Sequence, residues 1–221
     1  MNFLSTPRKR TILFTLLYMS EGAPIGFIWW TFPTELRSYG VPIDTITTLT
    51  SLLVLPWAFK FLWAPLIDIF QSERWKLRSW IIASQLVMGV SLVPALFIES
   101  ASQFPLLFSF FLIHTLAAAT QDVSIDALCI AEADPEERSV LNGWMQTGML
   151  IGRSLFGGWA ILFLQFVEMN TILVALIGLI WGTTIILFFS EQQSSIGRIT
   201  INDRWKRFLD VLKHVLSSRT A

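Results

Sequence analysis

Six apolar segments, each long enough to cross a bilayer, constrain the fold of this chain more than any other feature. A membrane-spanning helix needs about 20 mostly apolar residues, because the hydrocarbon core is about 30 Å thick. The 221 residues contain six such stretches: 11–33, 43–68, 78–98, 104–126, 139–166 and 170–190. The charged fraction is 14%, against about 25% in average soluble domains. The sequence therefore predicts an all-α integral membrane protein with six transmembrane helices.

Two segments lie outside these spans, an N-terminal one at 1–10 and a C-terminal one at 191–221. The run that follows the N-terminal segment is about 22 residues long and exceeds a signal-peptide core, so we interpret it as the first transmembrane helix. The C-terminal segment predicts an amphipathic helix on the inner membrane surface, or else a soluble helix that packs on another part of the protein. A possible N-cap and an apolar stripe between basic residues carry that prediction: Asn202, Trp205, Phe208, Leu209, Leu212 and Leu216.

Lysine and arginine are distributed unequally between the two sides of the predicted bundle. Cytoplasmic loops of membrane proteins carry the excess of these residues. One side has the N-terminal segment, the loop after the second span, the loop before the fifth span and the C-terminal segment; it carries, among others, Arg8, Lys9, Arg10, Arg74, Lys76, Arg78 and Arg138. The opposite side carries only Arg37. Both termini are therefore predicted to lie in the cytoplasm, as in a bacterial inner-membrane protein.

Net charge, cysteine content and the absence of known motifs exclude several classes of function. The net charge is zero and gives no indication of nucleic-acid binding. The single cysteine, Cys129, rules out an internal disulfide. The sequence has no zinc-ligand spacing, no phosphate-binding loop and no nucleotide-binding glycine pattern. We therefore expect neither a cofactor nor a metal, and a carrier rather than an enzyme.

Three charged side chains inside the predicted spans are candidate functional residues, because each costs about 2.5–3.5 kcal/mol at a span centre. Glu21 lies near the middle of the first span, in a stretch that glycine and proline loosen, and is either a functional carboxylate or a structural partner of another helix. Lys60 either faces a polar cavity or extends its stem toward the membrane surface. The fork of Arg153 suits a carboxylate, phosphate or sulfate, so it is a solute ligand, a gate residue or a partner of Glu21 or another acid.

The fourth span ends in a polar stretch that contains Gln121, Asp122 and Asp126. Both carboxylates share one helix face, since they are about one turn apart. That face is either a charged helix end near water or part of a cytoplasmic gate. Candidate gate partners near the end of the second span are Asp68, Arg74 and Arg78. His114, in the same span, is either a proton relay or a neutral histidine that donates to a backbone carbonyl.

The order of charges along the chain suggests an internal repeat. The first three spans carry an acid, a base and no charge, and the next three repeat that order. The third and sixth spans are therefore expected to face lipid, and the other four to line a cavity. This is the pattern of a 3+3 inverted repeat.

Three stretches resemble the AmpG-like branch of the major facilitator superfamily, which includes bacterial anhydromuropeptide permeases and, more distantly, acetyl-CoA transporters. They are YMSEGAPIGF in the first span, PWAFKFLWAPLID in the second and ATQDVSIDA in the fourth. The resemblance covers about residues 11–190. Members of this family have twelve helices in two halves around a central cavity, so it implies that a second six-helix half is required. That half is a separate chain or a second copy of this one.

The resemblance also implies proton-coupled transport of a solute by alternating access. On this interpretation Glu21, with Asp122 or Asp126, carries the proton, while Lys60 and Arg153 attract an anionic solute. Gln121 is a further candidate for the solute path. So is Gln146, which stands where the muropeptide permeases carry a Tyr-Arg pair before Gly-Met-Leu.

Three alternatives stay open. The chain is the N-terminal half of a split or truncated transporter that is inactive alone, or it assembles with a second copy of itself. A membrane enzyme that holds a metal on the two aspartates is the remaining alternative, although no histidine or glutamate set accompanies them.

Overall fold

The computed structural model describes residues 2–97, 104–192 and 205, and these residues form helices and no β-strand. The absence of strands follows from the apolar runs, since a helix satisfies all its backbone hydrogen bonds within one segment. Six helical segments are labelled α1 (Pro7–Ser38), α2 (residues 43–69), α3 (Leu77–Phe97), α4 (Phe104–Glu132), α5 (residues 138–163) and α6 (Met169–Phe188). Their positions agree with the six apolar stretches of the sequence.

Five of these segments, all except α5, are long and apolar enough to cross a membrane within the described part of the chain. The helix α5 is long enough at 26 residues, but polar side chains interrupt its apolar sequence, among them Asn142, Gln146 and Arg153. It packs along α1, and that contact is the most extensive between any two segments described. Of the six predicted spans, five therefore meet the length and composition of a membrane-crossing helix within the described residues.

Glycines bring α1 and α5 into close backbone contact. A Cβ on Gly22 would collide with the Met149 carbonyl, and a Cβ on Gly152 would lie 2.7 Å from the backbone nitrogen of Ala23. Gly148 approaches the backbone of α1 in the same way. The GxxxG spacing of Gly148 and Gly152 thus packs two helix backbones directly against each other.

Both helices of this pair contain a π-helical turn at the same level. The turn in α1 spans Phe27–Thr31 and the turn in α5 spans Leu155–Trp159. The Thr31 hydroxyl lies 2.6 Å from the Phe156 carbonyl oxygen and 3.0 Å from that of Gly157. Because a π-turn displaces carbonyls from their regular partners, this hydroxyl supplies a donor at the irregular part of α5.

The segment α2, which covers the span predicted at 43–68, is divided into short helical pieces. It consists of Ile43–Leu52, Leu55–Phe59, a 3₁₀ turn at Lys60–Leu62 and Ala64–Ile69. Pro56 and Pro65 each stand in the first turn of a new piece, where the missing proline N–H costs no helical hydrogen bond. The apolar window of α2 is only 17% buried, against 67% for α1.

The helix α4 extends to Glu132 and corrects the predicted boundary at residue 126. Asp122 and Asp126 therefore lie inside a helix and not at its end. This overturns the interpretation of the two aspartates as a charged helix terminus.

The inward faces of α3 and α6 meet α1 through a polar network. The Gln85 amide nitrogen donates to the hydroxyls of Ser20 at 3.1 Å and Thr183 at 3.0 Å, and the Thr184 hydroxyl donates to the Gln85 carbonyl oxygen at 2.9 Å. All four side chains are buried. The outward faces of α3 and α6 are apolar and exposed, for example at Val90 and Ile185. These helices have a lipid-compatible side, as expected, and a polar interior side that the sequence did not indicate.

Both ends of the described chain meet at one end of the bundle. The Asn2 amide donates to the Glu191 carbonyl oxygen at 3.3 Å, and Arg10 forms an ion pair with Glu137 at 2.7 Å. This end, which also carries Arg74, Arg78 and Arg138, is called the basic end below. Apart from Glu191, Gln192 and Trp205, the C-terminal segment 191–221 with its predicted amphipathic helix, including Asn202, lies outside the described residues.

Candidate functional site

A cluster of polar side chains joins α1, α2 and α4 within the apolar bundle. The Lys60 ammonium and the Asp122 carboxylate form an ion pair. The Tyr18 hydroxyl donates to Asp126 Oδ1 at 2.5 Å and lies 3.4 Å from Asp122 Oδ1. Lys60, Asp122, Tyr18 and Asp126 thus form a continuous chain of contacts, called the Lys60–Asp126 chain below.

The breaks and turns of the helices explain this arrangement. Lys60 begins the 3₁₀ turn of α2, at the point where two short helical pieces meet. Asp122 and Asp126 are one turn apart on α4, so both carboxylates project to the same side. Tyr18 lies on α1 and is almost fully buried at 3% exposure, which holds its hydroxyl between the two carboxylates. Both ends of the Lys60–Asp126 chain are accessible, since the Lys60 side chain is 36% exposed and Asp126 is exposed, whereas the Asp122 side chain is 10% exposed.

Glu21 lies one turn beyond Tyr18 on α1 and is buried, with 1% of its surface exposed. It is near enough to Lys60, Asp122 and Asp126 for their charges to act on it, and the Trp57 side chain lies beside it. Its Oε2 atom has no hydrogen-bond partner among the described residues. Arg153 forms no ion pair with Glu21 or with any other described acid. The alternative in which Arg153 is the partner of Glu21 or another acid is therefore not found among the described residues.

The remaining solute-path candidates differ in burial. Gln121 is fully buried, and neither atom of its amide has a hydrogen-bond partner in the described part of the chain. Arg153 is partly buried, and its Nε atom also lacks a partner there. Gln146 is exposed on α5, unlike Gln121 and Arg153. Two of the three thus present unsatisfied polar atoms inside the bundle, which carry a cost unless a partner meets them.

His114 is buried between α3 and α4. Its Nδ1 atom lies 3.0 Å from the Met88 carbonyl oxygen and 3.4 Å from the Ser91 hydroxyl. A carbonyl can only accept, so this contact assigns the proton of a neutral imidazole to Nδ1. This is the geometry of the structural alternative for His114, in which it donates to a backbone carbonyl. Its Nε2 atom is buried without a hydrogen-bond partner among the described residues.

The three gate candidates lie at the basic end, around the α2–α3 connection. Asp68 accepts a hydrogen bond from the Gln71 amide at 3.0 Å. Arg78 donates to the Phe188 carbonyl oxygen at 3.1 Å and lies over the Phe188 ring. Arg74 is exposed beside a polar cleft of about 330 Å³ between the α2–α3 connection and the end of α6. Among the described residues, Lys60 is the cation that pairs with an aspartate of α4.

Two residues of the site were missed by sequence reasoning. Tyr18 and Trp57 are uncharged, so neither stands out in an apolar span as a charged residue does. One available signal was rarity, because the chain has only two tyrosines and Tyr18 lies three residues from Glu21 on the same helix face. No group of three acids, histidines or cysteines among the described residues is placed to hold a metal ion.

The fold is that of a multi-pass membrane protein, and the comparison with known proteins identifies its family. The sequence profile of the Major Facilitator Superfamily matches residues 11–221, so the chain belongs to that superfamily. Its relatives include a putative transporter AmpG 4 of Rickettsia conorii, 27% identical over 85% of this chain and 46% of the relative. The anhydromuropeptide permease of Escherichia coli K12 is 25% identical over 70% of this chain and 31% of that protein.

A fungal relative extends the range of similar proteins. An uncharacterized protein of Schizosaccharomyces pombe is 25% identical over 92% of this chain and 43% of the relative. The chain thus matches between about a third and a half of the length of these curated relatives. It is an integral, multi-pass membrane protein of a transporter superfamily.

Proposed function

We propose that this chain is the N-terminal six-helix half of a proton-coupled secondary transporter that moves an anionic solute, such as an anhydromuropeptide, by alternating access. The observation that carries this proposal is the Lys60–Asp122 ion pair inside the bundle, with Glu21 and Asp126 beside it. A cation and three carboxylates at membrane depth are costly and typically mark an ion or solute pathway. The more polar α5 counts as the sixth span because it packs along α1.

The ion pair suggests how the binding of proton and solute is coupled, because the Asp122 carboxylate and an anionic solute compete for Lys60. An anionic solute that binds Lys60 displaces Asp122, and a proton on Asp122 releases Lys60 for the solute. Glu21 and Asp126 are the other proton carriers in reach. Arg153 and Gln121 line the path with polar atoms that lack hydrogen-bond partners among the described residues. Gln146 and His114 stay candidates for the solute path and for proton transfer, respectively.

The gate is proposed at the basic end. Asp68, Arg74 and Arg78 lie there, around the α2–α3 connection. Contacts of these residues with the second half would close the cavity on this side. The excess of lysine and arginine at this end supports a cytoplasmic location for both termini. The bacterial AmpG-type relatives favour a bacterial inner membrane as the location of the chain.

A second six-helix half completes the cavity in this proposal. The superfamily relatives are at least about twice as long as the part that this chain matches. The helix α5 exposes polar side chains, such as Asn142 and Gln146, which fit a protein surface or a polar cavity better than lipid. Halves related by an axis along the membrane normal fit either a separate chain or a second copy.

The test is uptake by vesicles that contain the purified chain, alone and together with a C-terminal half from a twelve-helix relative. Anhydromuropeptide and other anionic solutes are supplied with and without a pH gradient, and the mass of the chain is measured in detergent. We expect gradient-driven uptake that falls at least about tenfold in Glu21→Gln and in Arg153→Ala, a loss of about 1.4 kcal/mol of coupling or more. Asp44→Asn, an exposed carboxylate at the start of α2, is the matched control.

The outcomes separate the alternatives. Uptake by a dimer of the chain alone identifies a self-assembling half-transporter. Uptake only after the second half is added identifies a split or truncated half. Uptake that ignores the gradient, or that is equal in Glu21→Gln and Asp44→Asn, contradicts proton coupling through Glu21.

A further inference from the structure

The Tyr18 hydroxyl has one proton to donate and two carboxylates to receive it. It is 2.5 Å from Asp126 Oδ1 and 3.4 Å from Asp122 Oδ1, so the hydrogen bond goes to Asp126 in this structure. A small rotation would bring the same proton to Asp122 and withdraw it from Asp126. The hydroxyl is therefore a donor with two positions and cannot occupy both.

The hydroxyl stays on Asp126 because the other carboxylate, Asp122, is already paired with Lys60. Asp122 already has a cation, because Lys60 is paired with its Oδ2 atom. A carboxylate whose charge is neutralised in this way is the weaker acceptor at both of its oxygens. Asp126 has no cationic partner among the described residues, and among them Tyr18 is its hydrogen-bond donor. A hydrogen bond to an unpaired anion is stronger than one to a paired anion, so the proton stays with Asp126.

Breaking the ion pair reverses this preference. If Lys60 leaves Asp122, a carboxylate with 10% of its side chain exposed loses its cation and needs a donor. The Tyr18 hydroxyl is that donor, since it is buried next to Asp122 and needs only a short movement. Asp126 is more exposed than Asp122, so it tolerates the loss of the donor better.

We propose that Tyr18 is a positioning residue with two hydrogen-bonded states, which transmits the state of the Lys60–Asp122 ion pair to Asp126. The proposal rests on the transport function above, because it gives Lys60 a reason to leave Asp122. The charged side chains that act on Tyr18 are Glu21 on its own helix and Asp122 and Asp126 on α4, while Lys60 of α2 completes the cluster. The movement of one hydroxyl thus links the solute path on α2 to a carboxylate on α4.

The hydrogen-bond acceptor of the Tyr18 hydroxyl can be measured by NMR, because the protein has few tyrosines. It has only two tyrosines, and the second, Tyr39, lies outside the helices with 71% of its surface exposed. A Tyr39→Phe background leaves a single tyrosine, and the Cζ resonance of ¹³C-labelled Tyr18 in nanodiscs reports which acceptor the hydroxyl has. The measurement needs no second half, no solute and no gradient.

Three variants give a reference, a test and a control for the position of that resonance. In Asp126→Leu the nearby acceptor is removed, and the hydroxyl is expected on Asp122; this gives the resonance of the second state. Lys60→Met is expected to move the resonance from its original position toward that second position. Lys60→Arg keeps a cation beside Asp122 and is expected to leave the resonance in place.

A resonance that stays at its original position in Lys60→Met overturns the proposal and makes Tyr18 a fixed donor to Asp126. If Lys60→Met does not give folded protein, Lys60→Gln provides the same test, because it removes the charge and keeps a polar head. Failure here leaves the transport proposal intact, since uptake is measured separately. Conversely, a chain that shows no uptake can still show the two states of Tyr18.

Discussion

The α1–α5 pair and the α2–α4 pair are joined by different forces. In the first pair, glycines bring two backbones together, and the Thr31 hydroxyl bonds to carbonyls of the partner helix. In the second pair, the helices meet through side chains, and the principal polar link is the Lys60–Asp122 ion pair. The helix α2 is also broken and mostly exposed, whereas α1 is mostly buried.

This difference indicates which part of the bundle can move. Backbone contacts through glycine allow little sliding, because each helix fills the groove of the other. An ion pair between side chains can open without disturbing either backbone. We therefore expect α1 and α5 to move as one body and α2 to shift relative to α4 when Lys60 is released.

The largest expected effect comes from filling the glycine contact in Gly152→Ala. The added Cβ would collide with the Met19 carbonyl and lie 2.7 Å from the backbone nitrogen of Ala23, so α1 and α5 must separate. We expect the free energy of unfolding to fall by about 1–3 kcal/mol. The measurement is an SDS unfolding titration of the chain in mixed micelles.

Gly143→Ala is the matched control, because it lies on the same helix with nothing within 4 Å of an added Cβ. Alanine there should stabilise the helix by about 0.5–1 kcal/mol. If the two alanine variants are equally stable, backbone contact does not hold α1 and α5 together.

The next effect is expected in Thr31→Val, which removes the hydroxyl from the two π-turns and keeps the shape of the side chain. The carbonyls of Phe156 and Gly157 lose their donor, and the free energy of unfolding should fall by about 1 kcal/mol. Thr34→Val is the control, because the Thr34 hydroxyl bonds only to the Trp30 carbonyl of its own helix. Equal losses in both variants would mean that Thr31 contributes nothing between the helices.

The smallest effect on global stability is expected in Lys60→Met, although its local effect is the most informative. The Lys60 side chain is 36% exposed, so losing the ion pair should lower the free energy of unfolding by less than about 1 kcal/mol. Hydrogen exchange at residues 43–69 should accelerate while exchange in α1 and α5 stays unchanged. Lys60→Arg should restore slow exchange. Acceleration throughout the bundle would show that the two helix pairs are not independent.

The positions of the helices followed from the sequence because the bilayer leaves few alternatives. Long apolar runs must form helices in lipid, and the described helices begin and end within a few residues of those runs. The errors have local causes. Two prolines divide α2, and α4 continues past its aspartates because no proline or glycine stops it before Glu132.

The site was predicted as a set of residues and not as an arrangement. Lys60, Asp122, Asp126 and Glu21 were found because a charge inside an apolar span is costly wherever it occurs. Their partners were not found, since Lys60 and Asp122 are 62 residues apart and Tyr18 and Asp126 are 108 apart. A pairing of Arg153 with Glu21 was one alternative suggested by their charges alone. The described structure shows no ion pair between them.

The sequence by itself determined that this chain is helical, apolar and marked by a few charges inside its spans, because these properties depend on each segment's own composition. Tertiary structure alone decided that Lys60 pairs with Asp122, that Tyr18 lies between two carboxylates and that Gln85 joins three helices. Such contacts depend on how helices rotate and cross. Small residues such as Gly152 set those rotations, and a sequence shows a glycine without showing the backbone that it admits.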